Sequence, residues 1–278
     1  VLLATVLALG AAVLHAGWNL VAKRAEGDRF VVLWAQFACA GVIAAVALAV
    51  HAAVEGMPAR GYLWAAASGT VHLPYVWLLA RAYTVSDFSV SYPIARGGGA
   101  ALAAIGGVLF LADSLSPGEV AGITVVVVGL TILSWRASAS GVALALAVAV
   151  TIGAYTLFDA QGARTTGSAA YVLASFCATT VTTTVFGLAS GRRAAMALMM
   201  RRSFPRAATT GVASLVTYGM VLVAVQRAPV GYVTALRESS VVLAALVGWR
   251  YLGEGDHRRR ITAAVTVLAG LLVLVLGR

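Results

Sequence analysis

Long apolar runs separated by short polar or Gly/Pro-containing breaks recur from one end of the chain to the other. Each is long enough to cross a hydrocarbon layer of about 30 Å. The pattern predicts ten helices, over 1–21, 30–50, 61–81, 87–112, 117–135, 141–158, 169–189, 207–226, 230–251 and 260–277. The first run is too long for the core of a signal peptide and lacks a convincing cleavage site, so it reads as a retained helix. The longest break, 190–206, is too short to bury a soluble core.

The pattern also repeats. A shift of 141 positions brings Arg96 onto Arg237, Phe110 onto Tyr251, Leu111 onto Leu252, Asp113 onto Glu254 and Gly129 onto Gly270 without a gap. Such self-similarity in an apolar chain marks two copies of one unit, an arrangement common among secondary transporters. The expected units are 1–137 and 138–278, five helices each, joined at Ser138, Ala139 and Ser140. An odd number of crossings starts the second copy on the opposite side of the membrane, so the halves are expected to be inverted about an axis in the membrane plane. The charges agree. Breaks that share a side with 190–206, together with nearby helix ends, hold Arg192, Arg193, Arg201, Arg202, Arg258, Arg259, Arg260 and most other basic residues, whereas the other side has Arg60, Arg164, Arg227 and Arg278. Positive-inside reasoning puts the first side in the cytoplasm and both termini outside.

Composition narrows the class. Hydrophobic residues make up 61% of the chain, charged residues 11%, and mean hydropathy is +0.92, which excludes an ordinary soluble domain. The net charge of +10 does not point to nucleic acid, because the basic residues lie in short clusters between apolar runs and no aromatic readout motif accompanies them. Cys39 and Cys177 fall inside apolar runs, where a thiol behaves as a small hydrophobe; no disulfide framework, metal site or cofactor is expected. HExxH, GxSxG, CxxC and GxxxxGK motifs are absent, so the chain does not read as an enzyme.

The candidate chemistry lies in polar residues within the apolar runs. His15, Trp18 and Asn19 are spaced i, i+3, i+4 and share a face of the first helix, either lining a cavity or bonding between helices. The third carries Trp64, Ser68, His72, Tyr75 and Leu79 along a stripe beside Pro74. Tyr92 and Arg96 stack on the fourth, with Pro93 between them and Gly97, Gly98 and Gly99 read as packing. Arg96 and Arg237 are costly facing lipid, so each is expected to meet a polar cavity or a partner. A guanidinium suits a carboxylate or phosphate; the competing reading for Arg96 is an internal ion pair with Glu238 or Asp87. Glu238 is the proton-coupling candidate, and about 100° separates it from Arg237 around the helix. Thr151, Tyr155 and Asp159 on the sixth helix, and Ser214, Tyr218 and Gln226 on the eighth, complete the set. Asp159 reads as a helix end in water, and Asp87, Asp113 and Glu254 as capping or hinge elements. Helices 1, 3, 4, 6, 8 and 9 are expected to line the pathway.

Segments 82–97 (AYTVSDFSVSYPIARG), 106–129 (GGVLFLADSLSPGEVAGITVVVVG) and 238–270, with Leu252, Gly253 and Glu254 as an LGE turn and Leu111, Ala112 and Asp113 as its first-half version, resemble the EamA family of the drug/metabolite transporter superfamily. The LHAGWN stretch containing His15 and Asn19 is similar to the start of many members. The resemblance covers essentially the whole chain and implies an all-α membrane protein with ten transmembrane helices in two inverted five-helix repeats around a solute pathway. It does not imply a substrate. The expectation is an alternating-access carrier of a small polar organic solute, such as an amino acid or organic acid, bound by His15, Trp18, Asn19, His72, Tyr75, Tyr92, Arg96, Tyr155, Tyr218 and Arg237. Protons are the candidate coupling ion, the bilayer is the surrounding partner, and a monomer or homodimer in a bacterial inner membrane is the expected setting. The rivals are a proton-coupled exporter of lipophilic cations, a lipid flippase, and a structural or sensory membrane subunit.

Overall fold

The computed structural model describes residues 1–23, 27–85, 88–133, 139–240 and 257–277. Within these are ten helices and no strand: α1 (Leu2–Lys23), α2 (Arg29–Val54), α3 (Ala59–Val85), α4 (Phe88–Phe110), α5 (Pro117–Leu133), α6 (Ala139–Thr166), α7 (Ser168–Ala189), α8 (Arg193–Val225), α9 (Val230–Arg237) and α10 (His257–Leu276). Asp87 and the turn 252–254 lie outside the described residues.

Local chemistry sets several boundaries. Asp28 precedes α2 and its carboxylate accepts from the Phe30 and Val31 amides at 2.9 and 3.4 Å, satisfying donors the first turn leaves open. Ser116 and Glu119 form a capping box at the start of α5: the Ser116 amide donates to Glu119 Oε2 at 2.7 Å, and the Glu119 amide to Ser116 Oγ at 3.0 Å. Pro117 between them suits the first helical position. At the end of α4 the Asp113 amide reaches back to the Gly107 carbonyl at 3.0 Å, which requires a left-handed residue just before it. That residue is Ala112, with φ of 54°. The shift of 141 aligns Ala112 with Gly253, the residue type for which a left-handed conformation carries no penalty.

Two predicted boundaries are corrected. The stretch expected as a break over 190–206 is helical from Arg193, because Ala, Met, Leu and Arg are strong helix formers and the breaker Gly191, with φ of +74°, lies just before it. Ser203, with φ of −126°, kinks α8 just before Pro205, and the part after the kink is the repeat of α3. The predicted helix 230–251 is interrupted: α9 stops at Arg237, and the Glu238 amide closes a tightened turn onto the Ala235 carbonyl.

Helices α2, α6, α7 and α8 are each long and apolar enough to cross a bilayer, and shorter apolar helices run over Leu2–Gly17, Ile94–Phe110, Pro117–Ile132 and Thr262–Leu276. Their outward faces are apolar: Val42, Val46 and Val50 on α2, Val181, Val185 and Leu188 on α7, and Val212 and Val216 on α8 are exposed at helical spacing. This is a surface suited to lipid. Helix α3 packs against α6 and α7.

Small residues permit close crossings between helices. A Cβ on Gly129 would come within 2.9 Å of the Val267 backbone nitrogen, and one on Gly270 within 2.7 Å of that of Val126. Both pairs are related by the shift of 141, so α5 and α10 meet through equivalent surfaces. The other main contacts exchange in the same way: α1 with α8 corresponds to α6 with α3, α1 with α9 to α6 with α4, and α2 with α8 to α7 with α3, while α2 meets α7 and α4 meets α9.

Two outcomes test this packing by thermal unfolding of the purified protein. Replacing Ala112 with Gly is expected to stabilise by about 0.5–1 kcal/mol, since the residue is already left-handed. Gly129→Val pushes α5 away from the α10 backbone and is expected to destabilise by about 1–3 kcal/mol.

Candidate functional site

A cavity of about 200 Å³ lies between the helices. Its walls carry His15 from α1, Arg29, Leu33, Gln36 and Phe37 from α2, His72, Tyr75 and Leu79 from α3, and Arg96 from α4. The second half supplies Tyr155 from α6, Ser175, Phe176 and Thr179 from α7, Ser214, Thr217 and Tyr218 from α8, and Arg237 from α9. Among these lining residues are three arginines, two histidines and no carboxylate.

Of the residues singled out from the sequence, His15, His72, Tyr75, Arg96, Tyr155, Tyr218 and Arg237 therefore share one cavity. The side chains of Trp18, Asn19 and Tyr92 lie outside the described residues. Helices α2 and α7 were not expected to contribute. Their signal was faint but present, as Gln36 in an otherwise apolar stretch and the Ser and Thr residues of α7.

The two arginines meet different fates. Arg96 Nη2 is 2.8 Å from Glu238 Oε1, and its Nε donates to Oε2 at 3.3 Å, a two-point ion pair with both side chains buried. Glu238 is thus the partner of Arg96, as the competing reading allowed. Arg237, one residue earlier, points away from Glu238 and into the cavity, where its guanidinium stands 5.9 Å from the centre of the Tyr218 ring. It is only 6% exposed, and no carboxylate among the described residues pairs with it. The repeat explains the difference. The counterpart of Glu238 is Gly97, and Leu130 packs so close that a Cβ there would sit 2.9 Å from its Cδ1.

An aromatic cluster forms another wall. His72 stacks on Tyr155 with ring centres 4.1 Å apart, Tyr75 meets Tyr155 edge-on at 5.3 Å, and Tyr218 and Phe37 present to His72 at 6.4 and 6.2 Å. His72 Nδ1 is 3.0 Å from the Ser68 carbonyl. A proline interrupts α3 beside these residues without ending it; one turn earlier, the Thr182 hydroxyl donates to the Gly69 carbonyl at 2.8 Å.

Behind this wall lies Asp159, and here the expectation of a solvated helix end is overturned. It sits within α6 with no exposed surface, and the hydroxyls of Tyr171, at 2.9 Å, and Tyr218 donate to its carboxylate. The misreading came from ending the sixth helix at 158; the Gln and Gly that follow do not stop it, and α6 continues to Thr166.

The cavity reaches Arg29, the first residue of α2. The far end of the bundle is tied instead by Asp113 and Arg164, whose Oδ1 and Nη1 are 2.8 Å apart. Asp113 Oδ2 also accepts from the Val230 amide at 2.7 Å, so it caps α9, and Arg164 donates to the Val225 and Ala228 carbonyls at 2.7 and 3.3 Å. The capping role expected of Asp113 is therefore observed, on a helix of the other half. None of these residues lines the cavity.

Residues 139–276 match the EamA-like transporter family. A solved structure described as "Crystal structure of protein" is similar over 98% of this chain and 97% of its own, with a TM-score of 0.75 at 16% identity, a likeness in fold. Among curated proteins no sequence matches.

Removing one member of the central pair leaves a buried charge uncompensated, so Glu238→Ala is expected to destabilise by about 3–5 kcal/mol. Pairing Glu238→Leu with Arg96→Met should recover most of that loss in thermal unfolding. Additive losses in the double variant would show that the two side chains do not interact.

Proposed function

Because the chain belongs to the EamA-like transporter family, it is a multi-pass membrane transporter, and we propose that it carries a small organic anion through the basic cavity by alternating access. The substrate class is an amino acid, an organic acid or a phosph(on)ate of similar size. The observation that carries this reading is the lining itself, with Arg29, Arg96, Arg237, His15 and His72 and, among the described residues, no acidic one.

Electrostatics decide between signs of solute. Arg96 is neutralised by Glu238, but Arg237 is not matched by a carboxylate among the described residues. The C-terminal end of α9 offers the equivalent of about half a negative charge, which offsets a full guanidinium only in part. An anion about 4 Å from Arg237 would gain on the order of 4 kcal/mol at an effective dielectric near 20. Tyr75, Tyr155, Ser175, Thr179 and Ser214 add hydroxyls that can orient its remaining polar groups. A lipophilic cation would need a carboxylate facing the cavity, whereas Glu238 is turned to Arg96.

The exchange of helix contacts between halves supports an inverted ten-helix repeat with modules 1–137 and 138–278. In that arrangement, the Arg29 end faces the cytoplasm of a bacterial inner membrane by the positive-inside rule. The tie of Asp113 to Arg164 joins the halves on the other face. Rocking one half against the other would break it and expose the cavity there.

Uptake of radiolabelled amino acids, dicarboxylates and phosphate esters into reconstituted vesicles tests the reading. Arg237→Gln is expected to lower transport of the accepted anion at least about tenfold, in line with a charged hydrogen bond worth about 1.5–3 kcal/mol. The same variant should lose the thermal stabilisation which that anion confers on wild type. Unchanged anion flux in Arg237→Gln, or flux of a lipophilic cation alone, would defeat the proposal.

A further inference from the structure

We propose that Asp159, together with Ser68 and His72, forms a proton-binding site that opens onto the cavity through Tyr218 and His72. Among the described residues, Asp159 and Glu238 are carboxylates buried in the middle of the bundle. Glu238 has its charge balanced by Arg96. Asp159 has no arginine or lysine among the described residues; its donors are hydroxyls, those of Tyr171 and Tyr218 with Ser68 beside them.

Hydroxyls can satisfy the lone pairs of a carboxylate but cannot balance its charge, and an uncompensated buried ion is among the costliest features a fold can hold. The remaining source of compensation is a proton. It can sit on Asp159 itself or on His72, and the Ser68 hydroxyl lies between the two, 3.2 Å from His72 Nδ1 and beside the carboxylate. One proton is thereby assigned to the group as a whole.

The path for that proton is also built. Asp159 has no exposed surface and Ser68 has none, so water cannot reach either directly. Tyr218 and His72 are the members of this group that line the cavity. The titratable and charged groups facing Asp159 are His72 from α3, Tyr155 on its own helix, Tyr171 from α7 and Tyr218 from α8, with Arg237 of α9 beyond the Tyr218 ring. An anion entering the cavity comes to lie beside His72 and Tyr218, where it and the proton attract each other, so the occupancy of each favours the other. This last step rests on the anion reading above; the proton site itself does not.

Infrared difference spectroscopy of the protein in lipid nanodiscs, titrated over about pH 5 to 8 where an imidazole-linked group responds, reads the site without any transported solute. Wild type is expected to show a protonated-carboxyl stretching band that changes with pH, lost in Asp159→Asn and retained in Glu238→Gln. Tyr218→Phe keeps the ring and removes one donor to Asp159, so it should shift the frequency of that band even if Asp159→Asn does not fold. Absence of a pH-dependent carboxyl band in wild type, its persistence in Asp159→Asn, or an unshifted band in Tyr218→Phe would each overturn the assignment. Any of these results leaves the anion reading standing, because that reading is decided by flux in Arg237→Gln.

Discussion

The ion pair between Arg96 and Glu238 is the constraint on which the interior depends. A guanidinium at this depth needs a partner or a polar cavity, and for Arg96 the two-point geometry supplies the partner while bringing α4 against the end of α9. It also fixes the direction of its neighbour. With Glu238 committed to Arg96, the turn of the helix sends Arg237 the other way, into the cavity. A single pair thus packs the two halves together and leaves one full positive charge facing the space between them.

Positions 141 residues apart share packing surfaces but differ in much of their chemistry. Equivalent surfaces meet where Gly129 crosses Val267 and Gly270 crosses Val126. Arg96 and Arg237 follow that rule, but several other polar residues do not. The counterparts of Glu238, Asp159, Tyr218 and His72 are Gly97, Trp18, Trp77 and Ala213. Two halves that bury the same apolar faces can pack alike while exposing different groups to the interior, because backbone crossings are set by small residues and lipid-facing faces by hydrophobicity. The cavity is asymmetric for this reason, with its acidic groups set behind the wall and its basic groups in front.

The two ends of the bundle differ accordingly. At one end Arg29 borders the cavity, and Asp28 caps α2 while pairing with Arg192 at 2.9 Å on a largely solvated surface. Exposed pairs of this kind contribute little to stability. At the other end Asp113 and Arg164 are more deeply placed and take up backbone groups of α8 and α9 as well as each other's charge.

Much was legible from residues alone. The all-helical class and the membrane setting follow from runs of apolar residues, since lipid imposes length and composition on any segment that crosses it. Seven of the residues expected at a common site do share the cavity, because buried polar side chains in apolar helices have few other places to go. The rest required three dimensions. That Asp159 is buried and not at a solvated end depended on how far α6 continues, and that α2 and α7 line the cavity depended on which helix faces turn inward. The choice of Glu238 as the partner of Arg96, which leaves Arg237 without a carboxylate among the described residues, is a matter of angles and distances between helices remote in the chain. Hydrophobic periodicity specifies what must be hidden from water; only packing decides which hidden charges find one another.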